Sequence, residues 1–360
     1  MVFPVGNAAA QPIVFPFTAV DLTSAIDVLP NQWGKVGDMG MFDEVGVDST
    51  IVELDYRDGF VTVMASAERG TIPNAASGDE EEAKFFKIPH FPDTDLITPK
   101  DVENRWAFQP GDRNIRRRRT LEDEVNRRLM KIAMRHDVTL EYLRMGALKG
   151  KIYDGKGRLL YDLFNTFGIT QQVFNFNFYD TNFDVRGYTL EIARYIELNL
   201  HGDVSDGVQA LVSPEFFSAL IAHSQVKQFY LNWNSQFDRD LRQGFKFGAI
   251  EFIEYNAQAP TKPLTGPLQQ QTQGMADMLR FIEANAGYAF PEGTRDSFKT
   301  FFAPPYVVNL IYGDGVKRYV SPKVLDHGKG VELFSESNPL AICKRPNVLC
   351  KLNAVTTNPG

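Results

Sequence analysis

Apolar or amphipathic residues at Leu121, Val125, Leu129, Ile132, His136, Leu140, Leu143 and Ala147 recur every three or four positions, drawing one stripe down a helix over about 120–148. Thr120 suits its N-cap. Asp123, at the third helical position, sits beside the positive end of the dipole, and Gly146 and Gly150 weaken the far end. Two β-rich runs, Thr50 to Tyr56 and Phe60 to Met64, flank Asp58-Gly59 and predict a hairpin. A second hairpin is predicted over Lys151 to Leu163, turning at Asp154-Gly155-Lys156-Gly157. Further on, a helix through Leu190, Ala193, Ile196 and Leu200 stops at Gly202, and another starts at Ser213-Pro214-Glu215. Phe245 to Tyr255 reads as a strand, and strand-like segments return from Tyr288. The run Ser337 to Leu352 carries Pro339 and Pro346, so it reads as one strand, entered from a turn and bent once, at a sheet margin.

Three stretches lack sustained periodicity. Residues 1 to about 50 are rich in proline, glycine and isolated apolar residues, which reads as an extended arm packing on something other than itself. Ala65 to Pro99 holds four prolines and the acidic cluster Asp79, Glu80, Glu81 and Glu82; a loop of that length without regular structure is usually functional or disordered. Gln258 to Gln273, with three prolines and five glutamines, reads as an exposed loop.

Composition narrows the classes. With 43% hydrophobic residues in 360, the chain can bury a substantial core. A net charge of −7 argues against a dedicated nucleic-acid binder. Two cysteines, Cys343 and Cys350, make no disulfide framework and are expected reduced and buried. MVFPVGNAAAQPIVFPF has no basic leader and is interrupted by Pro4, Pro12 and Pro16, so no signal peptide is expected. No stretch approaches the roughly 20 apolar residues of a membrane span. The expected setting is a cytoplasm, with no membrane partner.

No constellation for catalysis stands out. His90, His136, His201, His223 and His327 have no zinc-type spacing, and His136 on the apolar stripe reads as a packing residue. His201, Asp203 and Asp206 around Gly202 read as a helix-ending loop with solvated carboxylates. Gly34, Gly37 and Gly40 repeat every three residues, which is neither a dinucleotide fingerprint nor a phosphate loop, and they read as turn glycines. No nucleophile elbow occurs, and neither cysteine has a histidine nearby in sequence. The chain is expected to be no enzyme and to use neither cofactor nor metal.

Four phrases carry a resemblance. LPNQWGKVGDMGMF at 29–42, TLEYLRMGALKGKIYDGKGRLLYDLFNTFG at 139–168, FPEGTRDSFKTFFAPPYVV at 290–308 and SNPLAICKRPNVLCKL at 337–352 stand in the order found in lambda-type major capsid proteins of tailed phages, the major capsid protein E family, which the chain resembles. The resemblance implies an α+β subunit of the tailed-phage major capsid fold. Its parts would be an N-terminal arm (1–50), an extended β loop (51–99), a peripheral domain (100–185) with spine helix 120–148, an axial domain (186–307) and a return to the peripheral sheet (308–360). It implies further that copies associate as pentamers and hexamers into an icosahedral head around double-stranded DNA, held non-specifically. Scaffold, portal and decoration proteins would be the other partners, with assembly in the bacterial host cytoplasm and residence in the virion. The alternative is an encapsulin-like cellular compartment shell of the same fold, which would lack the four phrases and carry an enzyme cargo.

One charge run remains. Arg116, Arg117, Arg118 and Arg119 stand just ahead of the helix start, where they oppose its dipole. Residues 111–151 hold twelve Lys/Arg and six Asp/Glu, a net of +6, which leaves −13 on the rest. An external partner is therefore expected: either an acidic surface on a neighbouring subunit, such as Asp79 to Glu82, or packaged DNA. The subunit contact is favoured by the net acidity. Arg69, in the same loop as that cluster, is the remaining expected interface residue.

Overall fold

The long helix begins where its capping chemistry dictates. In the computed structural model, which describes residues 34–57, 81–103, 106–109, 112–118, 120–201, 203–233, 242, 244–260, 278–308 and 313–357, it spans Leu121–Lys149. Thr120 N–H donates to Asp123 Oδ2 at 2.9 Å, and Asp123 N–H donates back to Thr120 Oγ1 at 3.3 Å, closing a capping box. Gly150 ends the helix at φ 74, and a Cβ there would stand 2.1 Å from the Phe164 ring. At 1.5 Å per residue the rod is ~44 Å long, long enough to thread two cores. Val125, Leu129, Ile132 and Ala133 pack with Ile97, Val320, Val331 and Leu333 in the smaller one. From Leu143 onward the helix enters the larger.

The smaller core lies against a sheet of three strands in the order Tyr319–Val324, Val331–Ser337, Phe91–Ile97, all antiparallel. The larger core is built on a six-stranded sheet in the order Phe245–Phe247, Ile250–Glu254, Gly207–Val212, Ala286–Glu292, Cys350–Val355, Gln172–Asn177. Its central strand, GVQALV, is buried along nearly its whole length, which its almost continuous apolar sequence requires. Helices Val185–Asn199 and Pro214–Ala222 flank the sheet; Ser213 Oγ caps the latter, accepting from Phe216 N–H at 3.2 Å. Phe176 is the aromatic hub, its ring edge-on to Phe183, Tyr188, Phe216 and Phe252. A fully buried phenylalanine of this kind contributes about 1.5–3 kcal/mol through area alone. A third sheet joins Asp43–Gly46, Phe298–Phe302 and Pro339–Cys343.

Several elements differ from expectation, each for a physical reason. Ile51–Arg57 pairs antiparallel with Glu81–Lys87, a partner the sequence did not indicate; the expected partner Phe60–Met64 lies outside the described residues. The inward side chains Val52, Leu54 and Phe86 are buried, and that shared burial fixes the long-range register. The described part of 65–99 holds two strands, Glu81–Lys87 and Phe91–Ile97. Residues 34–47 pack on their own chain, with Val36 and Phe42 in the large core, so this part of the expected arm is not external. Phe245–Tyr255 is two antiparallel strands turned at Gly248, φ 62, where a Cβ would lie 2.0 Å from Thr189 Oγ1. The closing phrase is two strands in different sheets, separated by a 3-10 turn at Pro346–Val348. Cys350–Val355 is interior to its sheet, not marginal, and the expected return of 308–360 to one sheet is divided among three.

Candidate assembly surfaces

The arginine run is itself a strand. Asp112–Arg118 pairs antiparallel with Trp106–Gln109, with Arg116, Arg117 and Arg118 opposite Phe108, Ala107 and Trp106. Glu81 and Glu82 open the strand Glu81–Lys87, in register with Arg57 and Tyr56. Arg69, Asp79, Glu80 and Arg119 lie outside the described residues. The structure thus places five of the nine expected interface residues on two separate ribbons.

Cations on the long helix find acids within the chain. Arg128 meets Glu124 at 2.8 Å, Asp95 at 2.8 Å and Asp101 at 3.2 Å, and Arg135 meets Asp93 at 2.6 Å. Asp93 and Asp95 come from the strand Phe91–Ile97, inside the stretch 65–99 that lacks periodicity in sequence, and Asp101 comes from the short helix Pro99–Val102 just behind it. Burial alone would raise the Glu124 carboxyl, but hydrogen bonds from Arg127 and Arg128 outweigh it and hold it below its ordinary value. For Asp93 the balance reverses: burial outweighs Arg135 and raises it.

Sequence reasoning missed a buried anchor for the N-terminal segment. Glu141 is buried on the helix; Oε1 accepts Val36 N–H at 2.8 Å and Oε2 accepts Gly37 N–H at 3.0 Å. Arg144, one turn on, bonds Glu44 at 2.6 Å and Thr300 Oγ1 at 3.2 Å. The available signal was the placement of Asp137, Glu141 and Arg144 at helical spacing beside the apolar stripe, where long polar side chains are half hidden by the packing.

Exposed apolar groups mark three further places. Phe85 and Ile51 point outward from the ribbon 51–57/81–87, 65% and 51% exposed. Tyr306 and Val308 project from the loop after Phe302, 90% and 80% exposed. Leu198 stands at an open groove of about 500 Å³ between Gln172–Asn177 and Val185–Asn199, lined by Phe174 and Tyr195 with Glu191 and Arg194.

His136 is buried with Nε2 3.2 Å from Ser335 Oγ. Asp203 accepts from Ser297 Oγ at 2.8 Å. Cys343 and Cys350 are free and buried, their thiols pushed up to about 12 by burial. Among the described residues no three His, Cys, Asp or Glu side chains gather as metal ligands, and no helix is long and apolar enough to cross a membrane.

This assembly of sheets around one rod, with apolar groups left outward, has known counterparts. The family model described as phage major capsid protein E matches residues 18–354. The chain belongs to that family. The major capsid protein of Pseudomonas phage KPP10 is 29% identical over 93% of this chain and 96% of its own length; that of Salmonella phage Felix O1 is 26% identical over 94% and 96%. A crystal structure of a prophage capsid protein from E. coli CFT073 superposes with a TM-score of 0.58 at 12% identity, covering 94% of this chain and 99% of that one, and shows the shared fold. The subunit is thus an α+β, shell-forming structural protein of a phage capsid, as the four sequence phrases implied.

Proposed function

We propose that copies of this capsid subunit join as pentamers and hexamers into the icosahedral head that encloses a phage's double-stranded DNA. Membership in the major capsid protein E family over 18–354 carries the reading. The role needs no catalysis: shell stability is the sum of many subunit contacts, and head-to-tail contacts close rings. A scaffold and a portal protein direct assembly in the bacterial cytoplasm, and DNA is contained without sequence preference.

In this reading the arm occupies the residues ahead of Gly34, and 51–99 is the extended loop that lies on a neighbour. Residues 100–185, with the long helix, form the peripheral domain, and 186–307 form the axial domain. The last 53 residues serve both. Arg116 to Arg119 meet Asp79 to Glu82 of an adjacent subunit, with Arg69 nearby.

Co-expression with a scaffold followed by electron microscopy tests the proposal. Closed shells or capsomer rings are expected. A subunit that stays monomeric by light scattering under all assembly conditions overturns it.

A further inference from the structure

The loop Ala303–Val308 follows Phe298–Phe302 and reads APPYVV. Pro304 and Pro305 are buried, whereas Tyr306 directly after them is almost wholly exposed. A single exposed apolar side chain is ordinary, but Tyr306 and Val308 are exposed two residues apart on one loop, and neighbouring exposed apolar groups are what mark an interaction site.

The loop's backbone is pinned from one side by the end of the strand Val331–Ser337 and the residue after it. Ala303 N–H donates to Asn338 O at 3.0 Å, and Asn338 Nδ2 donates to Pro304 O at 2.9 Å. Tyr306 N–H itself donates to Glu336 Oε1 at 2.5 Å. The Glu336 side chain is only 1% exposed, and its other oxygen lies 3.7 Å from His90 Nδ1. His90 in turn bonds Asn338 Oδ1 at 2.8 Å and sets its ring edge against Tyr306, centroids 6.4 Å apart. A buried carboxylate is costly to keep. Here it fixes the backbone of the most exposed residue in the loop. Two prolines and these bonds remove the ordering entropy that a flexible loop would lose on docking.

We infer that Tyr306, with Val308 beside it, is a pre-ordered anchor by which one subunit grips a second copy of this chain. The inference rests on the shell-forming proposal above, because in a shell made of one subunit type a face bare in the monomer is covered first by another copy. Tyrosine on a rigid support is the residue type that concentrates binding energy at the centre of such contacts.

The test uses full-length protein and its scaffold. Tyr306→Ala is expected to keep wild-type circular dichroism and to raise the subunit concentration needed for shells by about tenfold or more, while Tyr306→Phe stays within about threefold. A photoactivatable benzoylphenylalanine at 306 is expected to give capsid–capsid dimers on irradiating shells and none with dilute subunits. Wild-type shells with an unchanged Tyr306→Ala threshold would overturn this inference alone, as would crosslinks only to a different polypeptide such as a decoration protein. Failure of the wild type to form shells would overturn both.

Discussion

The Tyr255 hydroxyl donates to Glu141 Oε1 at 2.7 Å in the protein interior, so this one carboxylate holds the N-terminal segment, the long helix and the end of the strand Ile250–Glu254 together. Burial and the neighbouring carboxylate push the Tyr255 hydroxyl upward, and it remains a donor at any ordinary pH. Removing one donor from a buried charge costs about 1.5–3 kcal/mol. Tyr255→Phe should lose that much in urea unfolding and speed amide exchange at Val36 and Gly37. Gly34→Ala should do the same, because at φ 112 a Cβ would lie 2.5 Å from Glu141 Oε2.

His136 makes stability depend on acid. Burial, with Arg318 and Arg135 nearby, pushes its imidazole down from 6.5 to about 3. The folded state holds it neutral, while the unfolded chain binds a proton near 6.5, so its contribution is complete above 6.5 and is lost as pH falls toward about 3. Between pH 7 and pH 5 the linkage amounts to about 2 kcal/mol. Urea titrations of wild type and His136→Asn at both pH values should show the variant losing less by that margin. Equal losses would place the acid sensitivity in other groups.

Both thiols should be silent in the folded subunit. With Cys343 and Cys350 buried and raised to about 12, a thiol reagent at pH 8 should label neither until denaturant is added. Rapid labelling of one cysteine in native protein would indicate local opening of the strand that carries it.

The long helix was legible because its stripe, Thr120 and Gly150 are all local signals acting on one element. The partner of Ile51–Arg57 was not. Asp58-Gly59 is a local signal that names Phe60–Met64, outside the described residues, whereas the pairing with Glu81–Lys87 depends on burying Val52 and Phe86 together, which is a property of the whole fold. The break at Pro346 reads as a bend because a sequence shows that a ladder is interrupted but not that the two halves join different sheets. Family and function were legible through four phrases spread along the chain. The Glu141 anchor was not, since a glutamate on a helix looks solvated until Val36 and Gly37 arrive from 105 and 104 residues away.

The arginine run should act between subunits. Replacing Arg116 to Arg119 together by glutamine should impair assembly and leave helicity unchanged, because the long helix has its own capping box and its own aspartate partners for Arg128 and Arg135. Raising salt from 0.1 to 1 M, which shortens the screening length from about 10 to 3 Å, should reproduce part of the defect in wild type. Normal shells that package less DNA would instead assign the run to the interior.

The extended loop gives the sharpest contrast between free and assembled protein. Lys84 and Lys87 lie in a strand paired along its length with Ile51–Arg57, which slows proteolysis there, whereas Arg69 lies in a stretch rich in small residues that ends in four acids. Trypsin should therefore nick the free subunit first at Arg69 and later at Lys84 and Lys87. If the loop lies across a neighbour, as proposed, that neighbour also covers the outward Phe85 and Ile51, and all three sites should be protected in shells. Phe85→Ser should then weaken both assembly and protection, because the ribbon's inner face, Val52, Leu54 and Phe86, keeps the subunit folded without it. Mass spectrometry of the fragments decides the matter: equal cleavage at Arg69 before and after assembly would make the segment a surface loop with no part in holding the shell.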